Sequence, residues 1–367
     1  MEAMAIDFSR LFGGVYSGKN ILVTGHTGFK GSWLSLWLYC MGANVVGYAL
    51  APATERDNFV LCGLHEKIID LRGDIRDSSA LGKAFDTYRP EIVFHLAAQP
   101  IVRRSYEIPA ETFETNVMGT VHVLEAIRSS GTAKAGIIIT SDKCYENREQ
   151  LWGYRENDRL GGYDPYSASK GCAEIVTAAY QKSYFGRDSG KAIASVRAGN
   201  VIGGGDWSDS RLVPDCIRAL ESQKPIEIRN PNSVRPWQFV LEPLYGYLLL
   251  GAKLLQQGSR YGGAWNFGPD YDSVATVKTV TDQLIALWGN GASRNCDRLQ
   301  DAPHEAALLS LDCTKAKALL GWKPRLKLQK ALDYTVEWYK NHDENSFELC
   351  KRQIVSYCET IPDLYEG

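Results

Sequence analysis

The segment NILVTGHTGFKG, residues 20–31, decides how the rest of the chain reads. Its first five residues, Asn20 to Thr24, form a short apolar run of the kind that is buried in a parallel sheet. Then come Gly25, Gly28 and Gly31, followed by GSWLSLWLYCMG, which has helical length. A strand that passes through a glycine turn into a helix gathers backbone N–H groups and the positive end of the helix dipole at one point, a setting that suits a pyrophosphate. The glycines let the turn close and a ligand approach the backbone. With the strand before it and the helix after it, the triplet assigns Gly25, Gly28, Phe29, Lys30 and Gly31 to dinucleotide binding.

Outward from this segment the pattern repeats. NVVGY from Asn44, EIVFHLA from Glu91, GIIIT from Gly136 and AIASVRAGN from Ala192 read as further buried strands, and stretches such as SSALGKAFDTY and TFETNVMGTVHVLEAIRSSG between them have helical period. This rhythm predicts an α/β fold, a Rossmann-type doubly wound parallel sheet over residues 1–198, with a segment near 235–262 returning to it. From 199 to 367 the rhythm breaks into loop-rich runs such as GGGDW and RNPNSVRPWQ, which predicts a smaller C-terminal α/β domain for the substrate. Two later strand ends complete the expected cofactor groove: Asp74 and Ile75 in GDIRD near the adenine, and Ala97, Ala98 and Gln99 in HLAAQP where the dinucleotide passes. The acid that usually meets the ribose at the end of the second strand is missing, because Ala49 or Leu50 falls there. Arg56 is a cation that could tolerate a 2′-phosphate, and NAD is the expected cofactor over NADP. His26, inside the glycine loop, either crowds or hydrogen-bonds the pyrophosphate, or has no role.

Bulk properties exclude several classes. Lys plus Arg number 41 against 43 Asp plus Glu, a balance that gives no reason to expect nucleic acid or an anionic membrane. Nine scattered cysteines without a CxxC pair suit reduced thiols in a cytoplasmic protein, not a disulfide framework, and no metal site is expected. No basic and apolar leader is visible at the N-terminus. YGYLLLGAKLLQQ from Tyr245 is too short to span a bilayer and contains Lys253, so it reads as a core helix.

Two motifs carry chemistry. In TSDKCYEN, Ser141, Asp142 and Lys143 stand together at the C-terminal end of a buried strand, where polar heads are costly to enclose without a purpose. In YSASK, Tyr166 and Lys170 are four residues apart and share one helix face. The ammonium favours the phenolate and so suits Tyr166 to exchange a proton with a substrate hydroxyl.

Together, GHTGFKG, GDIRD, HLAAQP, YSASK and RAGNV resemble the extended short-chain dehydrogenase/reductase family. TSDKCYEN, WGYREN, GGYDPYSASKGCAE, RAGNVIGGGDW and RPWQFVLEP resemble, more narrowly, its nucleotide-sugar 4,6-dehydratases that act on CDP-glucose. The likeness runs from about Ile21 to the LGWKP at 320–324. It implies NAD as cofactor, CDP-glucose as substrate, and a lyase reaction: oxidation at sugar C4, loss of water across C5 and C6, and return of hydride to C6. It maps Ser141, Asp142 and Lys143 onto a Thr-Asp-Glu of relatives. Asp142 then serves the departing 6-hydroxyl. Lys143, where relatives have Glu, is either a neutral base at C5 or a cation that stabilises the enolate oxygen. Asn116, Asn200, Arg235 and His304 are the implied substrate contacts, with Glu305 beside the last. The resemblance further implies deoxysugar supply for bacterial O-antigen and lipopolysaccharide, and a homodimer or dimer of dimers through Thr112 to Ser130 and Tyr166 to Tyr184. The alternatives are a 4,6-dehydratase for another sugar nucleotide and a nucleotide-sugar 4-epimerase; the latter needs only Ser141, Tyr166 and Lys170, so Asp142 and Lys143 argue for elimination. A dinucleotide-sensing protein without catalysis has no need of Tyr166 or Lys170.

Overall fold

The computed structural model describes residues 6–186, 189–228, 230–289, 293–295 and 308–365. Six strands alternate with helices in the first half: β1 (Asn20–Thr24), β2 (Asn44–Ala49), β3 (Ile69–Arg72), β4 (Ile92–His95), β5 (Ala135–Ile139) and β6 (Ala192–Arg197). A seventh, Gly263–Asn266, pairs in parallel with β6, and the sheet order from that edge is Gly263–Asn266, β6, β5, β4, β1, β2, β3. All its pairings are parallel. This is the expected doubly wound sheet. The seventh strand is one that the sequence reading does not pick out, because GAWN is short and sits amid loop-forming residues.

Successive strand residues point to opposite faces, and both faces are covered. Ile21, Val23, Ile92, Phe94, Ile137 and Val196 enter one core with Trp33, Trp37, Leu248 and Trp338. Leu22, Val46, Val93, Ile138 and Ile193 enter the other with Leu81, Val123, Leu124 and Ile127. The apolar segment from Tyr245 lies in the buried helix Leu241–Gln257, and among the described residues no helix is long and apolar enough to cross a membrane. Glu242, at the start of that helix, fastens the C-terminal region. Its Oε1 accepts from the Arg325 and Leu326 N–H groups at 2.8 and 2.6 Å, and its Oε2 accepts from Tyr357 Oη at 2.8 Å.

The strand order reverses between β1 and β4, so the loops after these two strands part and leave a crevice at their C-terminal ends. Beyond β6 the backbone makes three short pairs: Val201–Ile202 with Gln238–Phe239, Val234–Pro236 with Val274–Thr276, and Ile226–Glu227 with Arg294–Asn295. Among the described residues no group of His, Cys, Asp or Glu is placed to hold a metal ion.

Candidate active site

The glycine loop leaves β1 and enters helix α1 (Phe29–Cys40). Its glycines are sterically required. A Cβ on Gly25 would lie 2.7 Å from the Ala97 nitrogen, and one on Gly31 would lie 2.1 Å from the Gly25 oxygen. Gly28 occupies the N-cap of α1 and no side chain caps the first turn, so the N–H groups there remain available to an anion. A groove of about 260 Å³ opens at this point, lined by Gly25, Gly28, Phe29, Lys30, Gly31, Asp74, Ile75, Ala97 and Ala98. Uncapped amides, small residues where a ligand must pass and an elongated groove fit the pyrophosphate and nucleoside of NAD.

A cavity of about 1010 Å³ adjoins the groove and is lined by Ser141, Asp142, Lys143, Tyr166, Asn200 and Arg235. The two spaces share Phe29, Lys30, Pro100 and Arg211 as their common wall. Ser141 Oγ donates to Asp142 Oδ1 at 2.9 Å and accepts from the Lys143 N–H at 3.2 Å. The other carboxylate oxygen, Oδ2, is buried without a hydrogen-bond partner and rests against Gly199. Gly199 cannot recede, because its carbonyl accepts from Gln238 Nε2 at 3.0 Å. Asn200 follows with φ of 47°, a left-handed conformation that asparagine tolerates better than most residues.

Tyr166 and Lys170 stand on the helix Pro165–Tyr184. Burial pushes the Tyr166 phenol up to about 12, and a hydrogen bond with Ser141 opposes this. Lys170 lies behind the cavity and donates to the Ile139 carbonyl at 3.3 Å. Burial lowers it to about 8 against the pull of Glu174. Lys30 is brought down to about 7 by loss of hydration and by the neighbouring charges of Lys170 and Arg211, while Asp142 and Asp206 oppose the shift.

Several residues sit elsewhere than the sequence suggests. Gln99 and Asn116 line neither cavity. Asn116 lies in a π-helical turn, Glu114–Met118, where its Oδ1 accepts from the Gln99 N–H at 2.8 Å and its Nδ2 donates to Ser169 Oγ at 2.8 Å. It ties the end of β4 to the helix of Tyr166. His26 is wholly buried, bonded through Nε2 to Asp70 at 2.8 Å, and its ring fills the space a Cβ on Gly47 would need. It faces the second and third strands and does not line the groove. Arg56 is committed to Glu221 at 2.6 and 3.0 Å and stacks on Trp207, 3.6 Å from the ring centre, so it is not waiting for a 2′-phosphate. His304 and Glu305 lie outside the described residues.

Sequence reasoning missed Arg211, which borders both cavities with Nη1 on Asp206 Oδ2 at 3.0 Å. The available signal was an arginine directly before the apolar period of helix Leu212–Glu221, five residues after a buried acid. It also missed a relay through the sheet. Thr24 Oγ1 meets His95 Nδ1 at 2.7 Å, His95 Nε2 meets Thr120 Oγ1 at 3.2 Å, and Thr120 Oγ1 donates to the Asn116 carbonyl at 2.8 Å.

A family model described as GDP-mannose 4,6-dehydratase matches residues 22–335. CDP-glucose 4,6-dehydratase of Salmonella typhimurium is 51% identical over 348 residues, covering 93% of this chain and 97% of that protein. The UDP-glucose 4-epimerase of Thermus thermophilus, solved with NAD, is 25% identical with a TM-score of 0.74, over 88% of this chain and 99% of that one. The dTDP-glucose 4,6-dehydratase of Bacillus anthracis, also solved with NAD, shares the fold with a TM-score of 0.74 at 23% identity, over 89% of this chain and 98% of that one. With its glycine-loop groove, its Tyr-Lys helix and a match spanning most of its length, this chain belongs to the GDP-mannose 4,6-dehydratase family of NAD-dependent, extended short-chain dehydrogenase/reductase enzymes.

Proposed function

We propose that the chain converts CDP-D-glucose to CDP-4-keto-6-deoxy-D-glucose, with the groove-forming part (residues 1–198 and the segment returning near 235–262) holding NAD and residues 199–367 supplying most of the nucleotide-sugar side. The observation that carries this reading is the gathering of Ser141, Asp142, Lys143 and Tyr166 around one cavity that opens onto the dinucleotide groove. Gly25, Gly28, Phe29, Lys30 and Gly31 would hold NAD in the groove, where it would supply the hydride chemistry at sugar C4 and C6.

The protein's own residues move the protons. Tyr166, bonded to Ser141 and backed by Lys170, takes the proton of the C4 hydroxyl as the ketone forms. That ketone acidifies C5–H. Lys143, half-buried and with no hydrogen bond or ion pair from its ammonium to the described residues, takes the C5 proton. Asp142 delivers a proton to the departing 6-hydroxyl, which leaves as water. Its geometry supports this, because Ser141 holds one carboxyl oxygen in place and leaves the other without a donor. Arg211 and Arg235 line the cavity with the cationic forks that match a diphosphate. Asn200 lies beside them, and His304 is retained as a nucleotide contact on the resemblance alone.

The helical run that ends at Ser129 and the Tyr166 helix both expose apolar side chains, Phe113 and Met118 on the first and Ile175 and Tyr184 on the second. This supports a homodimer, or a dimer of dimers, paired there. The described cysteines are all free, in keeping with a cytoplasmic enzyme. The test is to incubate the protein with CDP-glucose, and separately with dTDP-, UDP- and GDP-sugars, with and without added NAD, identifying products by mass. Loss of water from CDP-glucose is the expected outcome. A sugar nucleotide that changes configuration at C4 without losing water would overturn it.

A further inference from the structure

Directly beneath the strand end that carries Ser141 lies a group of charges that the reaction scheme does not use. Glu174, one helical turn beyond Lys170, is 2% exposed. Its Oε1 accepts from Thr140 Oγ1. Its Oε2 accepts from Ser195 Oγ and from Arg197 Nη2, both at 2.7 Å. Arg197, 3% exposed, reaches onward with Nη1 to Tyr145 Oη at 2.7 Å, and Tyr145 donates to Asn266 Oδ1 at 2.8 Å. One buried carboxylate therefore joins the last residue before Ser141, two positions on β6 and the Tyr166 helix. Through Arg197 it also grips Tyr145, the residue that closes the Asp142–Cys144 turn.

Among the described residues no carboxylate is bonded to Lys170, and its hydrogen bond goes to the Ile139 carbonyl, a neutral group. The charged and titratable groups around it are Tyr166 and Glu174 on its own helix, Cys144 on the strand-end turn, His95 on β4, and Lys30 at the start of α1. Burial keeps the Cys144 thiol protonated and the His95 ring neutral, and Lys30 carries the same sign as Lys170. Glu174 is the anion that offsets the loss of hydration around the Lys170 ammonium.

We infer that Glu174 is a positioning residue for proton transfer, one that holds Lys170 in its cationic form while Arg197 and Thr140 hold the Ser141 strand end against the same carboxylate. This rests on the proposed roles of Tyr166 and Lys170. A buried pair that served only stability would leave the response of the reaction to pH unchanged. Burial already brings Lys170 down to about 8, and removing the anion that opposes this lowers it further. The cation that supports the Tyr166 phenolate is then lost on the alkaline side of neutrality, where it is most needed.

The measurement is single-turnover NADH formation by the NAD-loaded enzyme with CDP-glucose, from about pH 6 to 9. Glu174→Gln is the direct variant. Because it strands the Arg197 charge, the double variant Glu174→Gln/Arg197→Met is measured beside it, since a neutral pair is tolerated where a half-pair is not. The expected result is near wild-type rates at the acid end and a deficit that grows with pH to about tenfold, the effect of a shift of about one unit in Lys170. A pH-independent deficit, or an unchanged profile, in the folded double variant would overturn the inference. Tyr166→Phe and Lys170→Met separate it from the underlying reading. If these two form NADH at the wild-type rate, the roles of Tyr166 and Lys170 fail. If they are inactive and the double variant keeps the wild-type profile, only Glu174 has been misread.

Discussion

Replacing Gly199 by alanine tests the acid in the elimination step without touching an ionisable group. The added Cβ would stand 1.8 Å from Asp142 Oδ2 and 2.2 Å from its carboxyl carbon, where side-chain contacts under 3.0 Å essentially do not occur. The backbone has little freedom to recede: Gln238 Nε2 holds the Gly199 carbonyl, and the Gln238 N–H holds the Asn200 carbonyl at 3.2 Å. Gly199 has an ordinary backbone conformation for an L-residue, so the burden falls on Asp142. Its carboxyl must swing by more than an ångström. A displacement of that size in a catalytic group costs about 10²-fold in rate, and the crowding costs about 1–3 kcal/mol of stability. Tyr166 and Lys170 lie on another element and keep their places. Stopped-flow absorbance of NADH after CDP-glucose is added should show the nicotinamide signal appearing at close to the wild-type rate and then persisting. Mass analysis should show product release slowed by about two orders of magnitude. If NADH formation and dehydration fall together, or if turnover is normal, Asp142 is not the separate acid of the second step.

Two further outcomes follow from the same site. Lys143→Met should also spare C4 oxidation and halt elimination, so that NADH accumulates on substrate addition; unchanged turnover would remove Lys143 from the mechanism. His95 is held down to about 3 by burial, against an ordinary value of 6.5, with the Lys170 charge adding to the effect. Its folded value is depressed, so its stabilising contribution is complete above about pH 6.5 and is lost as pH falls toward 3, at no more than about 1.4 kcal/mol per unit. Urea midpoints measured between pH 7 and 5 should therefore fall more steeply for the wild type than for His95→Gln, and parallel curves would contradict the assignment.

The sheet was readable because its strands are short, apolar and separated by strong helical periods, and because the glycine loop after Thr24 fixes where the first βαβ unit begins. The chemistry at Ser141–Lys143 was readable for a related reason: polar side chains at the end of a buried strand stand out from their surroundings. Positions set by tertiary packing were not. Asn116 appears as a polar residue in a helical run, and only the π turn and its contact with Gln99 reveal that it braces the end of β4. His26 sits in the motif itself, yet its orientation depends on the missing side chain of Gly47, a strand away. Arg211 and the Glu174–Arg197 pair join residues separated by long stretches of chain, and no local pattern announces a contact of that kind.

The side-chain relay beneath the glycine loop has a definite direction. The Thr120 hydroxyl has one proton and gives it to the Asn116 carbonyl, so it can only accept from His95. The His95 hydrogen therefore resides on Nε2, and Nδ1 must be the bare nitrogen that receives the Thr24 hydroxyl hydrogen. That leaves Thr24 Oγ1 free to accept from the Ala97 N–H at 3.2 Å, on the wall of the dinucleotide groove. A single tautomer thus satisfies every link. Were His95 to gain a second proton, Thr24 would have to turn its hydroxyl around, and the disturbance would arrive at Ala97. The imidazole, enclosed in the sheet and remote from solvent, is in this sense the hidden hinge pin of the cofactor groove's inner wall.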